Sequence, residues 1–165
     1  MPKPSPIPAG YHTATPYLII KGAANAIEFY KRAFGATVTL PPISAPGGRV
    51  GHAELRIGDS PIMLADEFPE MNSLSPQSLG GTPISIHLYV ENSDKVVSDA
   101  VAAGATVLRP IKDQFYGDRS GAVTDPFGHI WHISTHVEDV APDELRKRAD
   151  VAMQQMQQLQ MQQEQ

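Results

Sequence analysis

The sequence predicts an α+β fold made of two repeated βαβββ units, and three observations predict it. Phe34-Gly35-Ala36-Thr37-Val38 is echoed by Ala103-Gly104-Ala105-Thr106-Val107, an internal repeat to be weighed before any fold is chosen. Each copy closes a stretch of helical spacing and opens a strand. The strands that follow alternate polar and apolar side chains, so each unit has helical cover for one sheet face only. The other faces, carrying polar side chains, are left to line a shared cavity.

The elements follow in order. Residues 1–12 form an arm with Pro2, Pro4, Pro6 and Pro8, which favours an extended, polyproline-like run; a disordered tail is the plainer reading. A strand is expected over Thr15–Ile20. Ala23–Phe34 reads as a helix because Ile27, Tyr30 and Phe34 recur at helical spacing and Gly35 is a natural stop. Ala36–Leu40 returns to strand, and Pro41-Pro42 with Pro46-Gly47-Gly48 marks a loop. Arg49–Ile57 is a strand with Val50, His52, Glu54 and Arg56 on one face and Ala53, Leu55 and Ile57 on the other. Gly58-Asp59-Ser60 turns the chain into a strand over Pro61–Ala65. Residues 66–83, rich in proline and glycine, read as a connector or mobile flap.

The pattern then restarts. Ile84–Val90 is a strand with Ser85, His87 and Tyr89 on one face and Ile86, Leu88 and Val90 on the other. Ser93 is expected to cap a helix running to Ala103, with Val97, Ala100 and Val101 as its apolar stripe and Gly104 as its end. Ala105–Ile111 is strand, and Gln114–Ser120 a loop. Carried forward, the repeat makes Glu54 equivalent to Thr124, Gly58 to Gly128 and Ile62 to His132. The units therefore span about 13–66 and 84–137, joined by 67–83, with a Gln/Met-rich tail over 138–165. Pro142-Asp143-Glu144-Leu145 starts a helix in that tail. Methionine and leucine recur there every third residue, which gives no heptad seam and predicts a helix that frays.

Composition narrows the function classes. With 165 residues and 41% hydrophobic content, the chain can build one core. Its net charge of -5 argues against a nucleic-acid surface, and Arg146-Lys147-Arg148 reads as a solvated helix face. No cysteine is present, which removes disulfides and thiolate metal sites. No window reaches membrane-spanning length and no signal-type leader is seen, so a cytoplasmic protein without membrane contact is expected.

The stretch Gly121–Ile133 concentrates the chemistry. Asp125, Pro126 and Gly128 suit the first, second and fourth positions of a type I turn. In the strand beyond it, Trp131 and Ile133 want a core, so His132 faces the polar side with Ile130 and Ser134. His52, Glu54, His87 and His132 are nitrogen and oxygen donors on separate strands, a set that suits Zn, Ni, Mn or Fe. Such an ion would act as a Lewis acid on a substrate with two neighbouring oxygens. Glu54 is the candidate general base if it is not a ligand. Tyr17, Tyr89, Phe115 and Tyr116 are candidate pocket walls, and Arg56 and Arg119 candidate orienting groups for a bound small molecule.

The βαβββ plan, with Ile27-Glu28-Phe29-Tyr30 in the first helix and Asp125-Pro126-Phe127-Gly128-His129 before the last strand, resembles the vicinal-oxygen-chelate superfamily. This is the group of glyoxalase I, bleomycin-resistance proteins and dioxygenases, and the likeness is greatest to its PhnB-like branch. The resemblance covers about residues 13–137. It implies a curved mixed sheet with a concave cleft, and a homodimer in which units pair across subunits. It also implies a metal position on each of four inward strands. By register, Glu54 and His132 fall on two of these, and Thr15 and Ser85 on the others, where neither is a usual ligand. A displacement of two strand residues is about 6.6 Å, whereas metal bonds tolerate only about 0.2 Å. The implied cofactor is thus one divalent ion or none. Two readings lead: a small-molecule binder without chemistry, and a metal-dependent lyase or isomerase. A third is a non-catalytic interaction protein that uses its Gln/Met tail.

Overall fold

Helix α1 (Ala23–Phe34) occupies the span its spacing predicts, and buries Ala23, Ala26, Ile27, Phe29, Tyr30 and Ala33. Its first turn has no local side-chain cap. Asp66 supplies one from a neighbouring strand, accepting from the Gly22 and Ala23 amides at 3.0 and 2.8 Å. Gly35 closes the helix with φ 66°. These features come from a computed structural model that describes residues 3–163; Met1, Pro2, Glu164 and Gln165, the ends of the expected arm and tail, lie outside it.

Around α1 run β1 (Tyr17–Ile20), β2 (Thr37–Ala45), β3 (Arg49–Ile57) and β4 (Ser60–Asp66), in the order β1-β4-β3-β2. The second unit repeats this with β5 (Ser85–Tyr89), α3 (Ser93–Ala103), β6 (Thr106–Asp113), β7 (Asp118–Thr124) and β8 (Ile130–His136), in the order β5-β8-β7-β6. In both, the first and last strands pair in parallel and the other pairs are antiparallel. The expected α+β repeat is therefore a repeat of topology. Its sheet is assembled as two four-stranded ladders, with no ladder between β1 and β5 among the described residues.

Helices α1 and α3 pack against each other, and each covers its own sheet. Leu18, Ile20, Leu55, Leu64, Val123, Trp131 and Ile133 fill the space beneath them. Asp125 fastens the two units together. Its Oδ2 accepts from the Tyr30 hydroxyl at 2.8 Å and from Trp131 Nε1 at 2.9 Å. Its Oδ1 accepts from the amides of Phe127 and His129, both at 2.9 Å. With the Gly128 amide donating to Asp125 O at 3.1 Å, the predicted turn is closed. Asp125 is buried, and a buried carboxylate persists only where such donors meet it.

Several elements differ from the sequence reading. Strand β2 runs through Pro41 and Pro42, which tolerate their missing donors because β2 is an edge strand whose register slips between Leu40 and Ile43. Asn92, not Ser93, caps α3, its side chain accepting from the Lys95 amide; Ser93 is buried and donates to Arg119 O. Val101 is exposed rather than part of the α3 stripe, and Val50 joins the core. Asp118, Arg119 and Ser120 belong to β7, leaving a loop of 114–117. The stretch over 66–83 carries a short helix α2 (Pro76–Leu79) capped by Ser75, whose amide donates to Glu67. The tail forms α4 (Pro142–Gln163).

The repeat register also shifts. Leu40 and Glu54 pair as Arg109 and Ala122 do, and Glu54 meets Met63 as Ala122 meets His132. Glu54 is thus equivalent to Ala122 rather than Thr124, and His132 to Met63 rather than Ile62. The turn after β3 has two residues and the one after Asp125 three, which moves the frame.

Candidate functional site

The polar face of the first unit is made by β1 and β3. Cα pairing sets Tyr17 beside Met63 and Met63 beside Glu54. His52 Nε2 lies 3.1 Å from Glu54 Oε1, and His52 Nδ1 lies 2.8 Å from the Tyr17 hydroxyl. In a neutral ring that donates to the carboxylate through Nε2, Nδ1 accepts from Tyr17. The Tyr11 hydroxyl donates to the other carboxylate oxygen. Hydrogen bonds from Tyr11 and His52 hold the Glu54 carboxyl below the usual carboxylate range, so both its oxygens serve as acceptors. Arg56 donates to Asp59 O at 3.2 Å and to Gly10 O at 3.3 Å.

The polar face of the second unit is made by β5, β8 and β6. The row equivalent to Tyr17–Met63–Glu54–Leu40 is His87–His132–Ala122–Arg109. The His87 and His132 rings stack with centroids 5.8 Å apart. Arg109 Nη2 lies 3.3 Å from each His132 ring nitrogen. Partial burial lowers the His132 pKa, helped by the Arg109 cation and by His87, so the ring is neutral at pH 7. Beside it opens a cavity of about 430 Å³, lined by Arg109, Lys112, Gln114, Tyr116, Ser120 and His132, with Met156 of α4 on one wall. Neither Arg109 nor Lys112 has a carboxylate partner among the described residues. No carboxylate of the described residues lines the cavity.

The candidates from the sequence divide between these faces. His52 and Glu54 form one donor pair and His87 and His132 another, but no three His, Asp or Glu side chains converge on a metal position among the described residues. The donor set of one chain therefore does not fit a fully ligated ion. Tyr89 donates to Asp118, which also meets His136 at 2.8 Å. Arg119 is held by Asp94 and Asp113 at 2.6 and 3.0 Å, away from the cavity. Phe115 meets the Tyr116 ring edge-on and lines a groove beside α4 instead. Sequence reading missed Arg109, Lys112, Ser120 and Met156. Arg109 and Lys112 are three residues apart, so strict alternation puts them on opposite faces, and only the register shift between them in β6 brings both to one cavity. Tyr11 had no signal at all, since no periodicity ties the arm to β3.

Three comparisons bear on the chain as a whole. The sequence model described as Glyoxalase/Bleomycin resistance protein/Dioxygenase superfamily matches residues 11–133. The uncharacterized protein Mb0911c of Mycobacterium bovis is 45% identical over 135 residues, covering 80% of this chain and 88% of its own. Among solved structures, protein PA1353 of Pseudomonas aeruginosa aligns with a TM-score of 0.60 at 25% identity, over 77% of this chain and 99% of its own. A PhnB protein of Bacillus cereus aligns with a TM-score of 0.56 at 19% identity, over 75% and 99%, a likeness of fold alone.

Proposed function

Since the chain belongs to the Glyoxalase/Bleomycin resistance protein/Dioxygenase superfamily, we propose that it binds a small anionic molecule in the cavity between β6, β7, β8 and α4. The observation that carries this reading is the charge of the lining: Arg109 and Lys112, without a carboxylate partner among the described residues, in a chain of net charge -5. A guanidinium offers paired donors to a carboxylate, sulfonate or phosphate, and a lysine adds a second point charge. Ser134 donates to Ser120 Oγ at 2.7 Å, which leaves the Ser120 hydroxyl proton for a ligand oxygen. Tyr116 and Met156 supply apolar walls, the usual composition of a small-molecule pocket.

The test uses two dyes of similar shape, anilinonaphthalene sulfonate and the neutral phenylnaphthylamine. The sulfonate is expected to saturate one site, with the neutral dye at least about tenfold weaker, the scale of one charge-assisted bond. Replacing Arg109 and Lys112 by glutamine removes that preference. Equal binding of both dyes, or an unchanged preference in the double variant, overturns the reading.

The alternative of a metal-dependent lyase or isomerase rests on the two donor pairs, His52–Glu54 and His87–His132. Among the described residues neither pair has a third donor, and a second copy of the chain in a homodimer would supply one. Near-stoichiometric transition metal in the purified dimer, lost in His132→Ala, would favour it; a metal-free dimer after incubation with Zn, Ni, Mn and Fe would sink it.

A further inference from the structure

The first unit carries its own occupant. The Tyr11 hydroxyl donates to Glu54 Oε2, while His52 and Tyr17 continue the hydrogen-bonded chain from Oε1. Arg56 reaches past the strand to Gly10 O at 3.3 Å. Gly10 has φ +81°, and a Cβ there would stand 2.9 Å from the guanidinium, so this approach needs glycine. A turn from the Tyr11 amide to Pro8 O shapes the segment. Little else holds it. Residues 3–10 are all exposed, and Tyr11 is only half-buried. The arm is thus pinned at the site by polar contacts and lacks the apolar burial that would make it a permanent part of the sheet.

We propose that the polar face of the first unit is a second binding site, for a ligand carrying an aromatic or enolic hydroxyl, and that the arm is its tethered occupant. Tyr11 holds the place of that hydroxyl on Glu54 until the ligand displaces it. The acceptor is an ionised carboxylate with His52 on its other oxygen, so it selects a donor and rejects an anion. The Tyr17 and His52 rings, 5.5 Å apart, offer an aromatic flank beside it. Once the arm leaves, the Arg56 donor that held Gly10 O is free for a second ligand oxygen. Such a tether lowers apparent affinity by the fraction of chains in which it is open.

Para-nitrophenol tests this in the full chain, because its yellow phenolate band reports its protonation. Tyr11→Ala is expected to bind it about tenfold more tightly than the unaltered protein, the scale of one hydrogen bond to a charged group. The bound dye should lose its phenolate band, since it must donate to Glu54. Para-nitroanisole, which lacks the hydroxyl, should bind neither form. Gly10→Ala, which strains the arm and leaves Tyr11 in place, should move affinity in the same direction. Adding Glu54→Gln to Tyr11→Ala should abolish the gain. The proposal is overturned if Tyr11→Ala binds no more tightly than the unaltered protein, if the anisole binds equally well, or if the phenolate band persists on binding. The dyes of the basic cavity provide an independent readout, because Arg109 and Lys112 lie in the other unit.

Discussion

The two units place different chemistry on the same strands. Where the first has the row Tyr17–Met63–Glu54–Leu40, the second has His87–His132–Ala122–Arg109. In the first, a carboxylate gathers its donors from within the chain, and the face is satisfied. In the second, Ala122 stands where the carboxylate would be, and the outer strand contributes a cation instead. That face is left with charges that no carboxylate among the described residues neutralises. A duplicated scaffold thus sets where side chains point, and single positions decide whether a face is closed or open.

The strongest way to break this comparison is to cut the bond between the units. Asp125→Ala leaves the Tyr30 hydroxyl and the Trp131 indole N–H buried without acceptors. It should cost about 2–4 kcal/mol in denaturant unfolding, the scale of two unmet buried donors. A loss within about 0.5 kcal/mol, the range of an ordinary surface change, would mean that the units do not depend on it. Next in size is a pH effect on the second face. His132 is held neutral by partial burial and by Arg109, so an arriving anion favours its protonation. Sulfonate dye affinity should rise several-fold as pH falls from about 7 to about 5, around and below the ordinary histidine value. His132→Gln should remove that rise; a rise that survives the change would place the proton elsewhere.

Two smaller effects sharpen the picture at its edges. His136 sits between Asp139 and Asp118, and hydrogen bonds to both raise its pKa. Its contribution to stability is whole below about pH 6.5, the unfolded value, and fades as pH rises through the raised folded value. The unfolding midpoint should fall over that interval, and His136→Gln should flatten the slope. Met156 is 55% exposed, so it covers only part of the cavity. Met156→Ala should weaken the sulfonate dye by roughly twofold to threefold, as partial loss of apolar cover implies. No change at all would remove α4 from the site.

Much of the fold was legible because local signals agreed with the tertiary arrangement. The bounds of α1 and β3 follow from spacing and from Gly35, and burial of Trp131 and Ile133 follows from alternation. Signals failed where an outside partner overrode them. Pro41 and Pro42 read as a loop, yet an edge strand needs no donor on its open side. Asn92 supplanted Ser93 as cap because the Ser93 hydroxyl serves Arg119 O. At the site, alternation put His52, Glu54, His87 and His132 on polar faces, but the grouping into two pairs depends on register. Strand pairing moves the equivalent of Glu54 by two positions and that of His132 by one, and the unequal turns after β3 and Asp125 account for the difference between the two shifts. The Arg119 ion pairs and the Tyr11 contact join residues too far apart in sequence for any local pattern to announce them.

Pro41 and Pro42 have one more consequence. Strand β2 is the outer edge of its sheet, and β6, with Pro110 inside it, is the outer edge of the other. A strand edge is a template on which another chain can add itself hydrogen bond by hydrogen bond, and this is how soluble sheets convert into aggregates. Each proline leaves a gap in that template that no incoming strand can fill. The two long outer strands are thereby blunted against growth along these rims, while the opposite edges, β1 and β5, are short strands of four and five residues.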